Sequence, residues 1–158
     1  ANQQTVLKLD RKALRRAVQT TLKLEQVVSA TISLAIVDNA TIHQINRQYL
    51  QHDFPTDVVS FLLESSGDTG SLEVPRGKGK TLDGELVVSA EMARDMSSDF
   101  GWSAHDELVL YVVHGLLRFC GYDDLTDAEE PLMRSRERDV LQALGLTPQA
   151  ARTKHTSN

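Results

Sequence analysis

The chain has 158 residues, of which 41% are hydrophobic and 25% charged, with 4 prolines and 9 glycines, an ordinary composition for one globular domain that excludes a disordered, collagen-like or fibrous protein. A formal net charge of −5 argues against a generic nucleic-acid coat protein, which draws its affinity from many lysines and arginines, and a single cysteine, Cys120, excludes an internal disulfide framework and an all-cysteine zinc site. No apolar run approaches the ~18 residues of a membrane span, and the opening ANQQTVLKLD lacks the basic and apolar parts of a secretory signal, so no membrane and a cytoplasmic location are expected.

In chain order, Thr5 to Leu9 alternates as a short strand does. Asp10 is placed to cap a helix carrying Ala13, Leu14, Ala17, Val18 and Leu22 at helical spacing. Thr31 to Val37 is rich in β-formers, and Asn39 is expected to cap a second helix from Ala40 to about Gln51. Phe54-Pro55-Thr56-Asp57 has turn chemistry, followed by a strand over Val58 to Leu63. Ser65 to Lys80 holds four of the nine glycines and reads as a long loop or floppy hairpin. Glu85 to Val88 is the next strand. Ser89 caps a helix through Phe100 that Gly101 ends, and Ser103 opens another that runs to Cys120 and stops at Gly121. Thr126 to Glu129 fits a capping box for a last helix ending at Leu144, although Pro131 favours a start nearer to itself.

These elements predict an α+β fold: a single small mixed, mostly parallel four-stranded sheet packed with about five helices, in one domain over residues 1–146, followed by a polar tail over 147–158. The helix over 104–120 is apolar nearly all round and therefore buried. One stripe interrupts it: Glu107, Tyr111, His114 and Arg118, spaced four, three and four, share a face that meets either solvent or a cleft. Basic residues cluster at Lys8, Arg11, Lys12, Arg15 and Arg16, and again at Arg76, Lys78 and Lys80; each cluster reads either as a solvated face or as a phosphate-binding patch. His43, His52, His105 and His155 read as surface or capping residues, Cys120 as core, and Asp57 as a turn residue. Glu85 enters a strand near the expected cleft.

Residues 114–124 read His-Gly-Leu-Leu-Arg-Phe-Cys-Gly-Tyr-Asp-Asp and residues 53–61 read Asp-Phe-Pro-Thr-Asp-Val-Val-Ser-Phe. The first resembles the H-G-x-L-H-L-x-G-Y-D-H signature, and the second the D-x-P-T-D-V-L-S-F stretch, of the YbeY family of metal-dependent endoribonucleases in ribosomal RNA maturation and ribosome quality control. Leu82 to Ser89 is similar to that family's G-D-I-x-I-S strand, with Glu85 in place of Asp. Order and spacing agree from about Ile32 to Leu146. The resemblance implies a zincin-like central helix, zinc as cofactor, and ribosomal RNA or the small ribosomal subunit as partner.

The departures fall at the site. Of three metal-ligand histidines only His114 remains; Arg118 and Asp124 stand at the other two, and Leu50 stands where the family carries arginine. His114 and Asp124 can ligate a metal, whereas the guanidinium of Arg118 has no lone pair to offer. A dication about 5 Å from that guanidinium, at an effective dielectric of ~20, would meet roughly 6–7 kcal/mol of repulsion. The expected catalytic residue is thus His114, with Arg118 binding substrate and His114 with Asp124 as metal ligands. The competing expectation is an Arg118–Asp124 ion pair in place of the metal, in an RNA- or ribosome-binding homologue that no longer cleaves.

Overall fold

A computed structural model describes residues 1–50, 57–67 and 73–147. The elements are α1 (Arg11–Leu24), β1 (Ser29–Val37), α2 (Asn39–Leu50), β2 (Val58–Ser66), β3 (Thr81–Ser89), α3 (Ala90–Ser97, extended by a 3₁₀ turn to Phe100), α4 (Ala104–Phe119) and α5 (Glu130–Ala143). The class is α+β with five helices, as expected. The sheet has three strands rather than four, in the order β1-β3-β2, with β1 parallel and β2 antiparallel to β3.

The missing strand has a local cause. The backbone amide of Leu7 donates to Gln4 Oε1 and the side-chain Nε2 of Gln4 donates to the Leu7 carbonyl, both at 2.8 Å. One side chain thus satisfies the backbone groups that a neighbouring strand would have paired. The chain touches the β1 edge earlier, through an isolated parallel bridge of Asn2 to Ile36.

The helix starts follow cap chemistry. Asp10, Ser89 and Ser103 accept hydrogen bonds from the amides of Ala13, Met92 and Asp106 at 3.0–3.1 Å. At α2 the cap is Asp38, whose Oδ1 accepts from Thr41 at 2.7 Å, one residue before the expected Asn39. Asn39 instead accepts from the Ser89 hydroxyl at 2.6 Å and donates its amide to Glu91, so the starts of α2 and α3 are bonded together. Thr126 caps a turn ahead of α5, accepting from the Glu129 amide at 3.1 Å, and the helix itself begins at Glu130, beside Pro131.

Strand alternation divides the core. Leu82, Leu86 and Val88 face α4 and the surrounding helices, while Val37, Val59 and Val87 face Ile42 of α2. α4 is the central helix: every residue from Glu107 to Leu117 is buried. It can lie against the strands because Gly84 meets the Phe119 ring and Gly115 meets Leu86, with no room for a Cβ at either. Among the described residues no helix is long and apolar enough to cross a membrane.

The segment from residue 73 to 80 is anchored rather than floppy. Arg76 donates from its amide to the Tyr122 hydroxyl at 3.0 Å and from its guanidinium to the Gly121 carbonyl at 3.1 Å and to Glu129 at 3.0 Å. Lys80 Nζ donates to the Cys120 carbonyl at 2.8 Å. Both side chains are buried. Two of the three cations expected as a phosphate-binding loop are therefore committed to the turn that follows α4, and only Lys78 is exposed. In the other basic cluster, Lys8 just ahead of α1 and Arg11, Lys12, Arg15 and Arg16 on its first turns are all exposed.

Candidate active site

The polar stripe of α4 does not act as one surface. Glu107 and Tyr111 are buried, with Trp102 Nε1 donating to Glu107 Oε1 at 2.8 Å. His114 is 7% exposed, and Arg118 alone of the four emerges to solvent. Three of the positions are buried, and in the last turn of α4 Leu116, Leu117 and Phe119 are buried as well, so Arg118 lies on the one side of that turn that is left uncovered.

After α4, Gly121 adopts φ of +104°, a left-handed conformation that frees the chain to fold back. The return places Asp124 beneath the helix, 3% exposed, with its Oδ2 3.9 Å from His114 Nε2. Asp123 closes the turn by accepting from the Leu125 amide at 3.1 Å. The spacing of 114 and 124 across a glycine turn thus brings those two side chains together as expected.

The expected Arg118–Asp124 ion pair does not form. The guanidinium on Asp124 belongs to Arg134 of α5, whose Nη2 is 3.3 Å from Asp124 Oδ2. Arg118 points to solvent because it sits on the outer side of the last helical turn, whereas Arg134 projects from the inward face of α5 beside Met133 and Val140. Arg134 Nη1 also donates to Glu137 Oε1 at 2.7 Å, and Glu137 Oε2 bonds His114 Nδ1 at 2.6 Å. His114, Glu137, Arg134 and Asp124 therefore form one buried polar cluster drawn from α4, the turn and α5.

Burial by itself would push the Glu137 carboxyl upward; the hydrogen bond and charge of His114, together with Arg134, outweigh it and hold the group below the ordinary carboxylate range. Burial likewise opposes the charged form of Arg134, and Glu137 and Asp124 outweigh it, so that the guanidinium is held above its ordinary value. An ionised Glu137 is an acceptor only, so His114 Nδ1 donates the hydrogen bond between them, and Nε2 is left on the Asp124 side.

Neither Arg134 nor Glu137 was among the expected site residues. Their signal in the sequence is a pair of charges interleaved with Met133, Val140 and Leu141 on the apolar side of an amphipathic helix. Of the remaining candidates, Glu85 is exposed on β3, between Gly84, which meets Phe119 of α4, and Leu86, which meets Gly115 of α4, so it alternates to the other face of the sheet. Asp57 is a turn residue, bonding the Val58 amide through Oδ1 at 2.7 Å and the Ser89 amide through its carbonyl at 3.0 Å. His105 accepts from the Asp10 amide at 3.1 Å, tying the start of α4 to that of α1. Cys120 is fully buried, and burial pushes its thiol up to about 12. His52 and His155 lie outside the described residues.

The donor set bears on a metal. A catalytic zinc takes three protein ligands and an open position. Here His114 and Asp124 are the two expected donors, Asp124 is already paired with a fixed cation, and Arg118 has no lone pair to offer. Among the described residues no group of three or more His, Cys, Asp or Glu side chains is placed to hold an ion. A three-ligand zinc site does not fit these residues.

Residues 1–145 match the family model described as Endoribonuclease YbeY. Relatives named Endoribonuclease YbeY include one from Geobacillus sp. (strain WCH70), 39% identical over 79% of this chain and 80% of its own, and one from Bacillus subtilis (strain 168), 38% identical over 74% of each. A Bacillus cereus (strain G9842) relative is 34% identical over 84% of this chain and 85% of its own. The solution structure of a Thermotoga maritima protein superposes with a TM-score of 0.58 over 90% of this chain and 86% of that one, at 18% identity, a likeness of fold. Match over nearly the whole described chain, with the motif segments in order and the His114 helix at the centre of the fold, places this chain in the endoribonuclease YbeY family.

Proposed function

We propose that this protein is an endoribonuclease that acts on single-stranded ribosomal RNA in rRNA maturation and ribosome quality control, with the small ribosomal subunit as its partner in the cytoplasm. The observation that carries the reading is the family match over residues 1–145. The site offers chemistry that needs no step through a metal. Glu137 fixes the His114 ring through Nδ1, so Nε2 is the nitrogen that takes a proton, as a general base toward a ribose 2′-hydroxyl whose oxygen then attacks the adjacent phosphorus; the P–O5′ bond breaks, the 5′-oxygen leaves with a proton from water, and a 2′,3′-cyclic phosphate remains. Arg118, exposed one helical turn further on, supplies the cation for the phosphate oxygens.

A second reading, an RNA- or ribosome-binding homologue without cleavage, is favoured by the donor set, which departs from a three-ligand metal site. One experiment separates the two. Wild type, His114→Ala and Arg118→Glu are incubated with a labelled single-stranded ribosomal RNA fragment, scoring both cleavage and binding. Cleavage by wild type, lost in His114→Ala with binding retained, supports the nuclease. Salt-dependent binding without cleavage supports the second reading. No binding at low salt refutes both.

A further inference from the structure

The charge that faces Asp124 comes from a residue that the altered signature does not contain. Arg134 is 9% exposed and spans two carboxylates, Glu137 at 2.7 Å and Asp124 at 3.3 Å. Glu137 holds one nitrogen of His114, and the other nitrogen lies 3.9 Å from Asp124. Two buried carboxylates and an imidazole from α4, the Gly121 turn and α5 are an arrangement that a cation must neutralise, because unpaired buried carboxylates are strongly unfavourable. A guanidinium meets that requirement with directed donors and a permanent charge, and it is covalently part of the chain. Asp124 Oδ1 is left buried with no hydrogen-bond partner, so one acceptor beside His114 is not satisfied by Arg134.

We propose that the Arg134 guanidinium takes the place of a divalent cation in this pocket, tying the Asp124 turn to α4 and α5 and keeping zinc out of the gap between His114 and Asp124. This inference concerns how the pocket is held together and does not depend on whether RNA is cleaved. It makes the order of residues 121–124 independent of metal. It also means that an incoming dication meets a fixed positive charge on the ligand it would need, a repulsion that falls away when Arg134 is neutralised.

The test uses the full chain purified without chelator. Zinc content is measured by elemental analysis, zinc affinity by calorimetric titration with zinc chloride, and the unfolding temperature with and without EDTA, for wild type, Arg134→Met and Arg134→Lys. Wild type is expected to carry no stoichiometric zinc and to keep its unfolding temperature in EDTA. Arg134→Met is expected to unfold roughly 5 °C or more lower and to bind zinc at least about tenfold more tightly than wild type, an affinity lost on adding His114→Ala. Arg134→Lys, which keeps the charge, is expected to stay closer to wild type on both counts. One tightly held zinc per wild-type chain, an EDTA-dependent loss of its stability, or equal zinc affinity in wild type and Arg134→Met overturns the proposal. If Arg134→Met fails to fold, the wild-type zinc content and chelator response decide by themselves, with Arg134→Lys as the folded comparison.

Discussion

Gly115→Ala tests how α4 is seated. In an isolated helix the change is favourable by about 1 kcal/mol, because alanine is the best helix former and glycine among the worst. In this fold an alanine Cβ would lie 2.6 Å from Leu86 Cδ2, and 3.2 Å from both Ser60 Oγ and Val58 Cγ2. Leu86 is fully buried and Val58 6% exposed, on adjacent strands β3 and β2, so neither side chain has solvent to move into and the helix has to lift as a body. Overpacking of a filled core costs about 1–3 kcal/mol, and a contact this short against a fully buried neighbour belongs at the upper end. Net of the propensity gain, the variant should be destabilised by about 2 kcal/mol, a drop of roughly 4–8 °C in unfolding temperature for a chain of this size. Thermal and urea unfolding followed by circular dichroism measure it. Leu86→Val, which withdraws the offending methyl, should rescue the alanine, so that the double variant is more stable than the sum of the singles by about 1 kcal/mol or more. A Gly115→Ala protein more stable than wild type would show that propensity outweighs packing and refute the close seating of this helix on the sheet.

Three further outcomes can be checked. Lys80→Met removes the Nζ donor from the Cys120 carbonyl, 2.8 Å away in a buried site, and should cost about 1.5–3 kcal/mol, with faster amide hydrogen exchange at residues 122–124; exchange unchanged there would remove Lys80 from the turn. Ser89→Ala deletes both the α3 cap and the bond to Asn39 and should cost about 1–2 kcal/mol in a urea titration, while Thr, which keeps the hydroxyl, should recover part of it. The Cys120 thiol, raised from 9.0 to about 12 by burial, is neutral in the folded chain at pH values where the unfolded thiol ionises. Its contribution to stability is therefore present below pH 9 and lost as pH rises toward 12. Tyr122, raised by burial as well, acts in the same direction, so Cys120→Ala should flatten the alkaline limb of a stability–pH curve only in part; an unchanged limb would contradict the buried thiol.

Much of the framework was legible from local chemistry. Asp10, Ser89 and Ser103 cap helices as their side chains predict, and Gly101, Gly121 and Gly145 stand in the left-handed conformation at helix ends. Turn and cap interactions span three or four residues, and the residues that make them are adjacent in the chain. The fourth strand was misread because alternation over Thr5 to Leu9 describes which side chains could share a face; the bonding partner of Leu7 turned out to be the side chain of Gln4. Asp38 outcompeted Asn39 as a cap by one position, since Asn39 is engaged by Ser89 from another element.

By itself the order of residues determined the class of fold, the buried helix at its centre, the family, and the meeting of His114 with Asp124 across a glycine turn. Tertiary structure alone decided which cation reaches Asp124, because the signs of Arg118 and Arg134 are the same and only the packing of α5 against α4 turns one inward and leaves the other in water. It decided equally that Arg76 and Lys80 brace a turn instead of meeting phosphate. A charge in a sequence has a sign and a reach, and its partner is chosen by whatever the folded chain brings within about 3 Å of it in a place where water cannot compete.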